Sequence, residues 1–496
     1  MVNPLLLLTV PLGLAFLMPL LGFLSERIAK YIPVAAMLFN LIVSISLIPV
    51  VLNKPVVVYT GGFAPPIGIN LVAGPLGIVL SVVIALVGLA VSIYALGYIK
   101  DSATTTKYHV LYLLLLIGAT GAVLTGDIFN LFVFYEILCI SSYALVAYFG
   151  ERNGVEASVK YLIQGSVGSG LILIGIAILY GLFGTLNMAD IARNMGSVST
   201  PRLFVPLVFL VAGFGVEAAI FPLNAWLPDA HSSAPSPISA ILSGIAIKVG
   251  IYAVVRIVFT VFGAPNMFML LVVVGLVTLL IGEMSAFSQN NIKRMLAYSS
   301  VGQVGLIIFA LGMATTSGIA GGLFQIISHA LAKSLLFLAT GYMIYRSGSM
   351  EISSMQGMGK RMPLTCLVFT IGAFSLVGLP PFAGFPGKFM IVRTAIAQEQ
   401  QLFTFLIVLV LLGTIIEAGY FFRVVQAVYF KGPREEPASG GQQPSEEAPL
   451  FALVPMLGFV AIILALGVYP EPVIRLLDSC AAELLNRFDY IKGVLG

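Results

Sequence analysis

Apolar stretches of about 20 residues recur along the chain from end to end, separated by short polar breaks. One such stretch, coiled as an α-helix, crosses the roughly 30 Å hydrocarbon core of a bilayer. The stretches lie at about 4 to 23, 33 to 52, 72 to 99, 108 to 126, 128 to 149, 159 to 184, 203 to 222, 237 to 262, 266 to 287, 295 to 314, 317 to 345, 363 to 393, 402 to 430 and 449 to 468. The pattern predicts an all-α polytopic membrane protein of about fourteen transmembrane helices, because lipid offers backbone N–H and C=O groups no other partner. The first stretch lacks a basic leader and a small-residue cleavage site, so it reads as a retained helix. Two soluble pieces remain. Residues 431–448 are Pro, Gly, Ser and Glu-rich and read as a mobile cytoplasmic loop. The tail from Pro470 alternates apolar and charged residues at helical spacing and is expected to lie along the outer interface.

Lysine and arginine in the connections orient the chain, since cytoplasmic loops hold the excess. Odd-to-even connections hold thirteen: Arg27, Lys30, Lys100, Lys107, Arg152, Lys160, Lys293, Arg294, Arg346, Lys360, Arg361, Lys431 and Arg434. Even-to-odd connections hold three: Lys54, Arg193 and Arg202. Both termini are therefore expected outside a cell (plasma) membrane, which requires an even number of spans.

Composition agrees with this picture: 59% of residues are hydrophobic and 9% charged, against roughly 25% charged in a soluble domain. The net charge of +4 does not signal nucleic acid, as no basic run with interleaved aromatics exists. Cys139, Cys366 and Cys480 are scattered, without metal-ligand spacing, and read as small buried apolar residues. No glycine-rich phosphate loop, dinucleotide fingerprint or haem motif occurs. No cofactor, metal or catalytic nucleophile is expected, and any redox chemistry would belong to partner subunits.

The scarce charges matter most where they fall inside the spans. Glu136 (helix 5), Glu217 (helix 7), Lys248 (helix 8), His329 and Lys333 (helix 11), Lys388 (helix 12) and Glu417 (helix 13) sit centrally. Charge at that depth costs several kcal/mol unless paired or hydrated, so each is a candidate ion-relay station. His329 and Lys333 are four apart and share one helix face. Asp127, Glu283, Arg256, Arg393 and Arg423 lie nearer span ends and are expected to snorkel or anchor helices.

Two spans are interrupted by proline: helix 7 at Pro222 and Pro228, and helix 12 at Pro380 and Pro381. Proline frees carbonyls in mid-membrane, which is tolerated where backbone lines a hydrated cavity. Breaks about 160 residues apart, five spans to each half, suggest two repeats, inverted because five is odd. Asp229 and His231, in the loop expected after the broken helix 7, are candidates to gate or hydrate access, with helix capping as the alternative.

The run Trp226 to Pro237 (WLPDAHSSAPSP), followed by Lys248 to Tyr252 (KVGIY), resembles the signature of antiporter-like membrane subunits. That family is shared by respiratory complex I, Mrp-type multisubunit sodium/proton antiporters and energy-converting membrane-bound hydrogenases. Asn291 to Ser300, His329 to Phe337 and Gly378 to Lys388 are further matches, and the likeness runs from helix 3 to helix 14. The resemblance implies inverted repeats of helices 4 to 8 (108–262) and 9 to 13 (263–430). These would be preceded by helices 1 to 3 (1–107) and followed by the loop (431–448) and by helix 14 with its tail (449–496). It also implies ion transfer along Glu136, Lys248, His329, Lys333 and Lys388. Where the family has a helix 7 lysine, this sequence has Glu217. Two acids would share a proton or hold a cation between them.

The leading expectation is a non-redox pumping subunit of a multisubunit respiratory complex, a membrane-bound hydrogenase or related assembly, moving protons or exchanging sodium for protons. Its partners would be other membrane subunits, peripheral redox subunits indirectly, and lipid. The alternatives are the D-type subunit of a stand-alone Mrp antiporter, a complex I pumping subunit and, more distantly, an independent transporter of an organic solute.

Overall fold

A computed structural model describes residues 2–24, 26–99, 104–432 and 447–496. Most of the expected cytoplasmic loop, residues 433–446, thus lies outside the described residues. The helices are α1 (Leu6–Leu24), α2 (Ile32–Asn53), α3 (Pro75–Tyr98), α4 (Thr105–Leu124), α5 (Ile128–Val146) and α6 (Arg152–Phe183). Then come α7 (Thr200–Glu217, continuing as Trp226–Ser233), α8 (Ser236–Phe262), α9 (Phe268–Phe287), α10 (Ile292–Gly312) and α11 (Thr316–Ser347). The chain closes with α12 (Pro363–Val377, continuing as Gly384–Ala397), α13 (Gln401–Phe430), α14 (Leu450–Val468), α15 (Glu471–Leu485) and α16 (Arg487–Leu495). Twelve helices among the described residues are long and apolar enough to cross a membrane, and Leu6–Gly22 and Pro363–Val377 are shorter apolar segments. The chain is a polytopic helical membrane protein.

One small exception to the all-helical expectation is an antiparallel hairpin between α2 and α3. Its strands are β1 (Val56–Tyr59) and β2 (Asn70–Ala73), with Val56 opposite Ala73. Single bridges tie Leu71 to Thr125 and Asp127 to Asn187, so the hairpin, the α4–α5 turn and the short helix Met188–Asn194 form one polar cap. Chain direction places this cap on the same side as the N-terminus and the tail. It is called the terminal face below, and the opposite side the loop face.

The bundle's centre is α8, every residue of which from Ser236 to Phe262 is buried. Two π-helical turns, Leu242–Ala246 and Arg256–Phe262, bracket its α-helical middle. Such insertions turn side chains off the regular spacing and leave carbonyls without the usual helix partner. Gly250 sets how closely α8 meets the break in α7, since a Cβ there would come within 2.4 Å of the Ala218 backbone nitrogen.

The tail, expected along the outer interface, packs against the bundle. The apolar face of α15 (Leu477, Cys480, Ala481, Leu484) is buried against the bundle, packed on α3, α11 and the end of α8. Its polar residues reach into the protein: Glu483 accepts the Leu76 N–H at the start of α3 (2.9 Å) and pairs with Arg256 (2.9 Å). Arg487 of α16 donates to the carbonyls of Ala192 and Val261.

Candidate functional site

The break in α7 begins after Glu217, passes through Ala219 (φ 55°) and Pro222, and resumes as a helix at Trp226. The Trp226 indole donates to the Val216 carbonyl (2.8 Å), which also accepts the Ala219 N–H (3.0 Å), and stacks face to face on Tyr161 (3.8 Å, 3°). Tyr161 in turn donates its hydroxyl to Glu217 Oε1 at 2.6 Å, and Cys139 Sγ lies 3.5 Å from Oε2. Glu217 is fully buried, whereas Glu136 on α5 is only half-buried and accepts the Ser169 hydroxyl. Glu136 is a charged neighbour of Glu217, so the first half of the bundle holds two acids in one region.

The break in α12 runs from Gly378 to Ala383 and contains Pro380 and Pro381. Lys388, just inside the second segment, donates to the freed Val377 carbonyl (3.2 Å) and forms an ion pair with Glu417 of α13 at 2.6 Å. Glu417 is 1% exposed and also accepts from Gln303 Nε2 (2.7 Å), whose own Oε1 accepts from Gln325 (2.6 Å). Each proline break thus has a buried glutamate close by, and at the α12 break Lys388 links that glutamate to a carbonyl that has lost its helical partner.

Between these ends lies a row of buried bases. Lys248 donates to Ser243 O in the first π-helical turn of α8, and Lys333 donates to Leu296 O (2.9 Å). His329 is fully buried, with Lys248, Lys333, His231 and Lys388 as its charged neighbours. Neither ring nitrogen of His329 or of His231 has a protein partner among the described residues, and the same holds for Ser328 Oγ and Gln325 Oε1. An orphaned buried polar atom costs about 1–3 kcal/mol, so native proteins pair such atoms with ordered water. The arrangement is a row of buried polar groups with hydrogen-bonding capacity left unfilled among the described residues.

Asp229 and His231 do not sit in a loop; both lie on the second, helical half of α7. His231 points inward and stacks on Phe337 (4.9 Å, 12°). Asp229 faces the loop side, where it bridges Arg294 (2.7 Å) and Lys160 (3.2 Å). These three residues, with Glu151, Glu156 and Asn291, line a polar cavity of about 370 Å³ that opens between the two halves of the bundle.

With this geometry in view, four likenesses carry weight. A family described as "NADH:quinone oxidoreductase/Mrp antiporter, TM" matches residues 125–415, more than half of the chain and the whole span from Glu136 to the α13 midpoint. The chain belongs to that family. It is 36% identical to the N-type subunit of the NADH-quinone oxidoreductase of Desulforudis audaxviator, covering 95% of this chain and 96% of that one. With the D-type subunit of the Na(+)/H(+) antiporter of Bacillus subtilis it shares 31% identity over 97% and 98%. Among solved structures, a chain of the membrane-bound sulfane sulfur reductase, described as an archaeal respiratory membrane complex, superposes with a TM-score of 0.90. That match has 37% identity and covers 99% of both chains.

Three residues escaped the sequence reading of this family member. Glu283, expected at a span end, is 1% exposed, accepts the Tyr420 hydroxyl (2.8 Å) and has Glu417, Lys388 and Lys333 as charged neighbours. Room for its carboxylate comes from Gly302 on α10, where a Cβ would stand 2.1 Å from Glu283 Oε1. Arg256, expected to snorkel or anchor helices, is buried under the tail and ties α8 to it through Glu483. Lys293, counted among loop charges, is buried and donates to Ala234 O (2.7 Å), while the adjacent Arg294 reaches the polar cavity. Of the other expected anchors, Asp127 caps α5 through the Asn130 N–H (2.8 Å) and Arg423 donates to Gln289 O (2.6 Å).

Proposed function

We propose that this chain is an ion-translocating, antiporter-like subunit of a multisubunit membrane complex. It relays protons along Glu136, Glu217, Lys248, His329, Lys333, Lys388 and Glu417, joined by Glu283. The observation that carries the reading is the pair of fully buried imidazoles, His231 and His329, lacking protein partners on all four ring nitrogens while lying among buried lysines. Such groups gain from hydration, and a wetted row of titratable side chains passes protons between neighbours. The cavity at Asp229 and Arg294 is the access from the loop face, with His231 between that access and the row; Pro222, Pro380 and Pro381 keep the breaks open. Relatives named as subunits of a quinone oxidoreductase and of a sodium/proton antiporter support a role inside an assembly rather than as a lone carrier.

In this reading the chain lies in the plasma membrane as fourteen spans with both termini outside. Its α4 to α8 and α9 to α13 are inverted repeats, each with its broken helix in the fourth place. The half-buried Glu136 on the bundle's flank faces an adjoining subunit. The Glu136–Glu217 region gives a second reading of the transported ion, because two neighbouring carboxylates, one of them fully buried, suit a sodium ion as well as a shared proton.

The test is coupled ion transport by the whole assembly reconstituted in liposomes. Lys248→Ala and Lys388→Ala abolish transport while the complex still assembles; retention of coupled pumping by both would leave the chain a scaffold. Glu217→Gln alters the sodium dependence if the acid pair holds that ion, and an unchanged dependence rules sodium out at this place.

A further inference from the structure

A second polar path starts one helical turn from Lys248 and runs in the opposite direction, toward the terminal face. Lys248 borders a small void of about 10 Å³ that it shares with Val123 of α4 and the apolar side chains of Leu80, Val83, Ile84, Ile245 and Val249. The carbonyl of that same Val123 accepts the Tyr252 hydroxyl at 3.0 Å. Tyr252 Oη accepts from Arg256 Nε at 3.2 Å, and Arg256 Nη2 donates to Glu483 at 2.9 Å. Lys248, Tyr252 and Arg256 are four residues apart in turn, along one face of the α-helical middle of α8 and into its second π-helical turn. Polar groups therefore run from Tyr252 to the tail, one helical turn beyond Lys248 and separated from it by the small void.

We propose that Arg256, held in place by Glu483 of the C-terminal tail, is the barrier that keeps the Lys248 station from exchanging protons with the terminal face. The inference rests on the relay reading above. A guanidinium stays charged at any working pH, so it repels a passing proton or cation without taking one up. Its position is over-determined: Glu483, Tyr252 and Thr260 take its hydrogen bonds, and the rings of Tyr252 (5.3 Å) and Tyr490 (5.1 Å) flank it. The tail contributes two of these contacts, Glu483 and Tyr490, across more than 220 residues of sequence. Glu483 is itself fixed by the Leu76 N–H, so its position is tied to the start of α3. Arg256 is thus a specificity-determining group of the relay and Glu483 a positioning residue.

The experiment uses the assembled complex in liposomes loaded with a pH-sensitive dye, following the decay of an imposed pH difference with no driving reaction. Arg256→Gln raises passive proton leak about tenfold, the effect of one unit charge a few ångströms away in a partly screened medium. Adding Lys248→Ala to it returns the leak to the parent value. Arg256→Lys keeps the charge and stays tight; where Arg256→Gln does not assemble, a leaky Arg256→Lys overturns the proposal. Glu483→Gln leaks less than Arg256→Gln, because Tyr252 and Thr260 still hold the guanidinium. A parent-like leak in assembled Arg256→Gln, or a leak that survives Lys248→Ala, overturns the proposal. If Lys248→Ala alone leaves coupled transport intact, it is the relay reading that fails.

Discussion

Adding one methyl group at Gly302 tests whether Glu283 belongs to the relay. A Cβ at this position would lie 2.1 Å from Glu283 Oε1 and 2.6 Å from Cδ. An ordinary carbon–oxygen contact needs about 3.4 Å, so the carboxylate must move by roughly 1.3 Å. It is the flexible end of a side chain and can move, which keeps the fold intact. A shift of that size breaks the bond from Tyr420, now 2.8 Å. Hydrogen bonds to charged groups contribute about 1.5–3 kcal/mol, equivalent to roughly 10- to 150-fold in a rate that passes through the charged form. Gly302→Ala is therefore expected to slow coupled ion transport by about one to two orders of magnitude in complexes that assemble and melt like the parent. Gly181→Ala is the control, since a Cβ there meets nothing within 4 Å. Transport within twofold of the parent in Gly302→Ala would remove Glu283 from the relay.

Three further outcomes are expected. Lys388→Met or Glu417→Gln alone leaves a buried charge uncompensated and destabilises the assembled chain by about 3–5 kcal/mol, while the double variant costs less than their sum; strict additivity in unfolding midpoints would mean the 2.6 Å contact carries no coupling. Asp229→Asn removes ion pairs whose basic partners are 38% and 53% exposed, so stability changes by about 1 kcal/mol or less. Its slower ion uptake at low ionic strength disappears near 1 M salt, where the Debye length is about 3 Å; a deficit that persists there would point to a bound role for Asp229. Burial holds the Asp127 carboxyl above the usual carboxylate range, against the opposing backbone hydrogen bonds from Asn130 and Phe129. The folded state then binds more protons than the unfolded one, so stability falls as pH rises from about 4 through the weakly acidic range, and Asp127→Asn flattens that slope; a slope that is unchanged would show that ionisation of Asp127 is not its source.

The helices were legible because burial in lipid imposes a one-dimensional rule: a run of apolar residues long enough to cross must coil. The central charges were legible for the same reason, since nothing but function or pairing keeps Lys333 or Glu417 in such a run. What escaped depends on rotation and on distant partners. Lys293 and Arg294 are neighbours in sequence, yet about 100° of helical turn sends one into the protein and the other to the loop-face cavity. Glu283 was misread because the space that admits it belongs to Gly302 on another helix. Arg256 was misread because its partner arrives 227 positions later, on a tail whose alternating pattern fits a membrane surface and a protein groove equally well.

The carbonyl anchors of the lysines have one more consequence. Lys248, Lys293, Lys333 and Lys388 each donate to a main-chain oxygen, at Ser243, Ala234, Leu296 and Val377. A peptide oxygen never titrates, and a lysine that has given up its proton is still an amine with two N–H bonds to offer. In the proposed relay, loading and unloading these side chains can therefore leave them where they are. Lys388 differs from the other three in also holding a carboxylate, and that attachment weakens whenever either partner is neutralised. In the relay proposed above, Lys388 is therefore the lysine whose contacts depend on its charge.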